Sequence, residues 1–420
     1  MTTLDAVVYG ADELVAGPAA DGRSLETYED GAVAIVDGTV AAVGPTADVT
    51  AEYPPESANH AVDADGQAVV PGFVDPHTHA LFAGDRADEF AAKLRGKSYQ
   101  DILAEGGGIL RTVRAVREAD EETLLSNLLA HLDTMLAHGT TTVEVKSGYG
   151  LDTETELQML RVIDSADAVH PVDVVPTFMG AHAVPEGWDT DDYTAAVVDE
   201  QVPAVESQGI AEFCDVFCEE GVFSVAQSRR VLEAGAAAGL TPKVHAEELA
   251  HIGGTQLAAD VGAASADHLL HATGEDIDAL VDAAVTPVLL PGTAFGLGAA
   301  YADATAFRDR GAPVAVATDF NPNCHSHSMG FALSLACVEM GLTPAEALTA
   351  GTKHAALALD RTDGLGTLRE GAPGDAVVLA APSHVHIPYQ YGTNVVDAVL
   401  KDGSVVSTPT HESYDREVQP

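Results

Sequence analysis

Apolar and polar positions along this chain change rhythm twice. Up to about residue 66, and again after Gly374, they come in short strand-like runs: DAVVYGADELV precedes AVAIVDGTVAAVG, and DAVVLAAP precedes VVDAVLKDGSVVS. Asp37-Gly38 and Asp402-Gly403 each separate two apolar runs, a strong short-range signal for a β-hairpin. Neither end is long enough to build a sheet with its own core. Residues 1–66 and 366–420 are therefore expected to combine into one small β-sandwich flanking the middle.

Residues 67–365 keep a different beat, in which nearly continuous apolar runs alternate with helical periodicity. The runs are AVVPGFVDPHTH, TTVEVKSGYG, VDVVPTFMGAH, AEFCDVFCEE, TPKVHAEE, SADHLLHA, VTPVLLPG and APVAVATDFNP. Strands of a parallel sheet, covered on both faces, read in this way. Helices are expected at Glu121 to His138, Glu154 to Ala168 and Ala226 to Ala238. Eight strands alternating with helices predict an α/β fold, a (β/α)8 barrel. The alternative, an open doubly wound sheet, usually carries a glycine-rich nucleotide fingerprint after its first strand, and G-x-G-x-x-G, P-loop and G-x-S-x-G patterns are all absent.

A barrel of this kind presents the residues that end its strands at its catalytic face. Here those ends are rich in chemistry: His77 and His79, Lys146 and Tyr149, His182, His245 and Glu248, His268 and His271, Asp319 and Asn321. In extended chain, i and i+2 side chains share a face, so His77 and His79 can converge on one point. Taken alone, that pair reads equally well as two solvent-facing histidines. The recurrence at strand after strand changes the reading, because three imidazoles and a carboxylate on a barrel rim make a mononuclear divalent-metal site with room for water. His131, His138, His170, His251, His325, His327, His354, His384, His386 and His411 fall on predicted helices or loops and are expected to be solvent-facing or capping residues. Gly106-Gly107-Gly108 has no lysine behind it and reads as a flexible active-site loop rather than a phosphate cradle.

Composition narrows the partners. The 420 residues carry 65 acids against 20 bases, a net charge of −45, which repels nucleic-acid phosphates and anionic lipid heads. A hydrophobic content of 46% argues against disorder and for a folded protein adapted to high salt, where the Debye length falls to about 3 Å at 1 M. The four cysteines include no C-x-x-C pair and imply a reducing compartment, with Cys214 and Cys218 expected in a buried strand. The N-terminus has no signal-peptide pattern and no apolar run reaches membrane-spanning length, so a cytoplasmic protein is expected, and the chain is compatible with a homodimer.

PGFVDPHTH, HAEE followed by SADH, and the ATD of the last run resemble the amidohydrolase superfamily, which has a metal-dependent (β/α)8 barrel and a β-sandwich built from both chain ends. FAGDRADEF, SYQDILAEGGGI, TTVEVKSGYGLDTETELQMLR, FMGAHAVP, DVFCEEGVFS, KVHAEEL and SADHL are similar, more narrowly, to the imidazolonepropionase family of histidine degradation, and span most of residues 71–320. That resemblance implies one Zn2+ or Fe3+ per chain held by His77, His79, His245 and Asp319. It implies 4-imidazolone-5-propanoate as the small-molecule substrate, contacted by Arg86, Tyr99, Tyr149, His182 and Glu248, with Arg86 clamping the propionate. The other reading of Arg86 is a surface residue paired with Asp85 or Asp88. After the last-strand Asp the family usually reads Asn-Pro-Gly-Ser, whereas this chain has Asn321-Pro322-Asn323-Cys324. Asn321, Asn323 and Cys324 are further candidates for substrate contact, and Asn323 can take the left-handed conformation that Gly supplies.

The implied reaction is hydrolytic ring opening to N-formimidoyl-L-glutamate, with Asp319, His268 and Glu248 as catalytic residues and the identity of the general base left open between them. A superfamily deaminase acting on a purine or pyrimidine shares the metal pattern but has no evident need for Arg86. A binuclear hydantoinase-like site needs a modified lysine on the fourth strand, and AEFCDVFCEE has none. A non-catalytic barrel scaffold is disfavoured by a full set of ligand candidates.

Overall fold

Each apolar run of the middle segment supplies a strand in the computed structural model, which describes residues 3–97, 101–102 and 105–408. The barrel strands are β1 (Phe73–Asp75), β2 (Thr140–Lys146), β3 (Asp173–Ala181), β4 (Phe213–Cys218), β5 (Thr241–Ala246), β6 (Ser265–His268), β7 (Thr286–Leu289) and β8 (Ala315–Val316). They lie in sequence order in one eight-stranded sheet, every neighbouring pair parallel. The sheet meets itself just past β1 and β8, where Thr78 bridges Phe320. There the His79 N–H donates to the Phe320 carbonyl at 2.9 Å and the Asp319 N–H to the His77 carbonyl at 3.1 Å. Closure of the barrel thus joins the His77–His79 segment to Asp319, which are over 200 residues apart in the chain.

Helices stand close to where the periodicity puts them, at Glu121–Ala137, Thr153–Asp167 and Val225–Ala237. Their starts are set by side chains that satisfy otherwise orphaned N–H groups: Asp120 accepts from Thr123, Asp152 from Thr155, and Ser224 with Gln227 forms a capping box. In Glu121–Ala137 the residues Leu124, Leu128, Leu132 and Met135, three or four apart, bury one face against the barrel. Cys214 and Cys218 are buried in β4, and all four cysteines are free.

The chain ends form two further sheets. One has the strand order Thr39–Pro45, Gly31–Val36, Leu4–Ala11, His60–Asp63; the other runs Ser404–Ser407, Val396–Lys401, Ala376–Leu379, Ala68–Pro71, Glu13–Pro18, Leu25–Tyr28. Val8, Leu14, Val33, Ile35, Val69, Val378 and Leu400 pack between them. Both expected hairpins form, with positive φ at Asp37 (48°) and Gly38 (76°), and at Asp402 (50°) and Gly403 (77°). One run divides differently from its reading as a single strand. Ala68–Pro71 pairs with Ala376–Leu379 of the end sheet, and only Phe73–Asp75 enters the barrel. The switch is made at Gly72, whose N–H donates to the Asp375 carbonyl at 2.9 Å and where a Cβ would run into Thr141. Both halves of the run are buried, so hydrophobicity alone cannot mark the change of sheet. Among the described residues, no helix is long and apolar enough to cross a membrane.

Candidate metal centre and active site

His77 and His79 lie in the extended segment that leaves β1, His245 near the end of β5, His268 at the end of β6 and Asp319 just past β8. All five are nearly or completely buried. His77 Nε2 is 3.7 Å and His79 Nε2 3.8 Å from Asp319 Oδ1, and the Nε2 atoms of His79 and His245 are 3.3 Å apart. Donor atoms of His77, His79 and His245, and separately of His77, His268 and Asp319, lie within 4.8 Å of one another.

Two of these rings, His77 and His245, are fixed from behind. His77 Nδ1 is 2.6 Å from Asp267 Oδ2 and His245 Nδ1 is 3.1 Å from Asp215 Oδ1. A carboxylate on Nδ1 holds the proton there and leaves Nε2 as a lone pair. Burial drives the pKa of His77 and His79 well below the usual range and that of His245 down to about 3, so the rings are neutral. His77 Nε2 is buried with no hydrogen-bond partner. A buried lone pair grouped with the nitrogens of His79 and His245 and 3.7 Å from a carboxylate oxygen makes a donor set that a cation would satisfy. The donor set fits one such ion with nitrogen and oxygen ligands.

Below this centre the barrel interior holds a charged ladder that the sequence reading did not assemble. Lys146 Nζ is 2.7 Å from both Glu144 Oε2 and Asp215 Oδ2 and 3.9 Å from Asp267 Oδ2. Lys243 Nζ is 2.9 Å from Glu144 Oε1 and donates to the Pro76 carbonyl at 2.8 Å. All five side chains are fully buried. Burial opposes the charge on Lys146, yet Asp215 and Glu144 hold its pKa above the ordinary lysine range. Burial likewise pushes Asp215 up, and His245 and Lys146 outweigh it, holding that carboxylate well below its usual range. The local signal was the polar pairs Glu144/Lys146 and Lys243/His245 at i, i+2 within otherwise apolar strands, which point inward together.

The barrel mouth is held by carboxylates as well. Glu156 accepts from the N–H groups of Gly148, Gly150 and Leu151. Glu219 takes those of Glu248, Leu249 and Ala250, and Glu247 those of Gly253, Gly254 and Thr255. Several strand-end residues occupy left-handed backbone, among them Glu247 (φ 51°), His268 (78°), Leu269 (60°) and Asp319 (49°). Such strain persists where the surroundings impose it, and it collects at functional sites.

The other candidates divide into those that face this centre and those that do not. His182 stacks on His79 at 4.7 Å between ring centroids and donates from Nδ1 to the Gly148 carbonyl, 3.0 Å away; Tyr149 lies 5.3 Å from His182 and 5.9 Å from His79. Gly148 has φ 94° and no room for a Cβ against His182. Burial raises the Tyr149 pKa, so its hydroxyl remains a donor. Glu248 Oε2 is 3.8 Å from His268 Nε2, and burial, reinforced by Glu219, lifts Glu248 to about 7.

Arg86 pairs with neither Asp85 nor Asp88 but with Glu89, Nε to Oε2 at 2.8 Å, in side chains 10% and 7% exposed. With Asn323, Cys324, His325, Phe90, Phe295 and Phe331 it lines a cavity of about 590 Å³. Asn321, expected to face substrate, is placed otherwise: its amide donates to Asp319 Oδ1 (3.0 Å) and to the Asp319 carbonyl (2.7 Å), and its oxygen accepts from the N–H groups of Asn323 and Cys324. It braces Asp319 and its loop. Thr293 also bonds Asp319, through Oδ2. Asn323 does not adopt positive φ; the left-handed residue is Asp319. Burial and the neighbouring Asp319 push the Cys324 thiol up to about 12, and Sγ turns to the Thr318 carbonyl at 3.6 Å.

Tyr99 and His411 lie outside the described residues. His271 is exposed and stands away from the centre. Gly106–Gly108, read as a flexible loop, is tied by Glu89, which accepts from the Gly108 N–H at 3.0 Å, and by Arg114 on the Gly106 carbonyl. His131 and His327, expected at solvent or as caps, instead pack on Phe320 at 4.9 and 3.9 Å, and His131 Nδ1 bonds the Ala80 carbonyl. His354 is likewise inward, on the Val314 carbonyl.

Comparison with known proteins agrees with this geometry. The model of the "Amidohydrolase family" matches residues 68–406, and that of an "Imidazolonepropionase-like composite domain, bacteria" matches residues 31–55. The chain is 98% identical to an imidazolonepropionase of Haloarcula marismortui over the full length of both. It is 66% identical to that of Halobacterium salinarum (96% of this chain, 98% of the relative) and 48% identical to that of Geobacillus kaustophilus (91% of each). Among solved structures, an adenosine deaminase from Xanthomonas campestris with bound zinc superimposes with a TM-score of 0.74 at 19% identity, covering 96% of this chain and 93% of that one. An atrazine chlorohydrolase from Arthrobacter aurescens complexed with zinc gives 0.69 at 16% identity, covering 96% and 95%.

Proposed function

Because the chain belongs to the amidohydrolase family and, within it, to the imidazolonepropionases, we propose that the barrel mouth takes 4-imidazolone-5-propanoate and hydrolyses its ring to N-formimidoyl-L-glutamate, a step of histidine degradation. The observation that supports the reading is that His77, His79 and His245 offer donors within 4.8 Å of one another, that Asp319 Oδ1 lies 3.7 and 3.8 Å from the first two, and that the loop following Asp319 shares a cavity wall with Arg86. Those four residues would hold one zinc or iron ion. When bound, it supplies Lewis acidity and eases the deprotonation of water.

The chemistry asks little else of the chain. The oxygen of water joins the ring carbonyl carbon, the bond from that carbon to the ring nitrogen breaks, and the nitrogen leaves with a proton. Asp319, braced by Thr293 and Asn321, accepts the proton of the attacking water. Glu248, raised to about 7, carries a proton near neutral pH and, with His268 beside it, delivers it to the departing nitrogen. Tyr149 and His182 cover the ring from one side. Arg86 has Nη1 and Nη2 without an acceptor among the described residues, because Glu89 takes only Nε. A forked pair of N–H groups matches a propionate carboxylate.

The test is turnover by the purified protein in molar KCl, following loss of 4-imidazolone-5-propanoate and appearance of N-formimidoyl-L-glutamate, with adenine and cytosine in parallel. Turnover of the imidazolone alone is expected. Deamination of a nucleobase without ring opening of the imidazolone would overturn the reading.

A further inference from the structure

A chain with 65 acids and 20 bases rarely leaves an inward-facing cation without an acidic partner, yet Lys93 has none among the described residues. It sits on the helix Ala87–Leu94, whose cap is Arg86, so that Arg86, Glu89 and Lys93 share one face at i, i+3 and i+7. Glu89 is already engaged by Arg86 Nε at 2.8 Å and by the Gly108 N–H at 3.0 Å. Arg86 and Asn323 line the cavity, and Lys93 stands behind them, sharing with Arg86 the field of Glu89. Burial, and then the like charge of Arg86, lower the Lys93 pKa. Without an anion to receive them, that juxtaposition costs stability.

Among the described residues the Lys93 ammonium makes one hydrogen bond, from Nζ to Asn323 Oδ1 at 2.8 Å. An ammonium can only donate, so the bond decides which end of the amide is which. The oxygen faces Lys93. The Asn323 NH2 group, which has no acceptor among the described residues, is left for the cavity that Asn323 and Arg86 both line. A glycine at this position would bring no such donor.

We propose that Lys93 is a specificity-determining residue: it orients Asn323 so that its NH2 joins the Arg86 guanidinium in one carboxylate-binding end of the cavity, and its own charge favours an anion there. This rests on the imidazolonepropanoate reading, in which the substrate carries one permanent carboxylate. Lys93 is a positioning residue in this scheme, and Asn323 touches the substrate.

Two variants separate orientation from packing. Lys93→Met keeps the stem and removes donor and charge; Lys93→Gln keeps an N–H for Asn323 Oδ1. Each is assayed in molar KCl with 4-imidazolone-5-propanoate and with its methyl ester, which lacks the anion and serves as the control for folding. For Lys93→Met the acid's KM is expected to rise at least about tenfold with kcat within about twofold, while the ester's KM stays unchanged. Lys93→Gln is expected within about threefold of the parent for the acid. In an Asn323→Gly background, Lys93→Met is expected to add much less, since the two act as a pair. An unchanged KM in Lys93→Met, a parallel shift for acid and ester, or a Lys93→Gln as weak as Lys93→Met overturns the proposal. A parent protein that fails to open the imidazolone overturns the underlying reading instead, so the two failures are told apart.

Discussion

Replacing Lys146 by methionine tests whether the ladder under the metal centre carries stability as well as ligand orientation. The methionine fits the space of the lysine stem but leaves Glu144, Asp215 and Asp267 facing Lys243 alone. At 2.7 Å and an effective dielectric of about 20, each of the two close pairs is worth roughly 6 kcal/mol of attraction. Desolvation of the ions, several kcal/mol each, cancels much of it in the intact protein. The variant loses the attraction and keeps the carboxylates buried, so a net loss of about 3–5 kcal/mol is expected. Set against a typical stability of about 5–15 kcal/mol, that is roughly a fifth of the total or more. A fall in Tm of roughly 3–6 °C follows for a chain of this size. Because the ladder is sealed from solvent, the loss should be the same at 1 M and 4 M KCl. Zinc held against a competing chelator should weaken by about 10–100-fold, since Asp215 and Asp267 no longer sit in a fixed field behind His245 and His77. Adding Asp215→Asn, which removes one of the stranded charges, should recover part of the Tm. A Lys146→Met protein with the parental Tm and zinc affinity would refute the reasoning.

Other expectations follow from single groups. Arg86→Ala should lower kcat/KM for 4-imidazolone-5-propanoate at least about a hundredfold, roughly 3 kcal/mol, with metal content unchanged; parental kinetics would remove the clamp role. His245→Ala should lose bound metal and activity together, and retention of one tightly held ion per chain would count against the ligand set. Dilution from molar to millimolar KCl should unfold the protein, because 65 acids against 20 bases then repel without screening; full stability in low salt would contradict this. His327, lowered to about 3 by burial and by the nearby His131 and His325, stays neutral when folded but takes a proton in the unfolded chain below about pH 6.5. Its contribution is complete above that pH and is lost as the pH falls toward 3, so His327→Phe should flatten the decline of Tm between pH 6.5 and 4. An unchanged slope would show that the ring does not titrate in this way.

What the sequence discloses about this molecule follows the range of the interactions that set it. The hairpins at Asp37-Gly38 and Asp402-Gly403 are local and were legible from a few residues; the caps at Asp120 and Ser224 are equally local. The eight barrel strands were legible because double burial writes continuous apolar runs. Gly72 was not, since the strand on either side is equally buried and only pairing partners distinguish the two sheets. The ladder was hidden because Lys146 meets Asp215 from 69 residues away and His77 meets Asp267 from 190. Glu156, Glu219 and Glu247 carry no mark that sets them apart in so acidic a chain, although each is a buried acceptor for a whole loop. The alternative considered for Arg86, a pair with Asp85 or Asp88, is not the one found: Glu89, at i+3 on the coming helix, is its partner.

The passage at Gly72 makes the end sheets the datum from which the proposed metal ligands are measured. A single residue separates Pro71, hydrogen-bonded in the end sheet, from Phe73 in the barrel, and His77 follows four positions later. There is no slack in that length to absorb a tilt of one sheet against the other. A rotation of the end sheet by a few degrees would be delivered to His77 and His79 as a displacement of their donor atoms. Heredity is constrained in the same way, for a lineage cannot exchange or trim its terminal strands as an independent module while keeping the centre. Any recombination that preserves the site must carry residues 68–79, together with the Ala376–Leu379 strand that pairs with their first third, as one inherited piece.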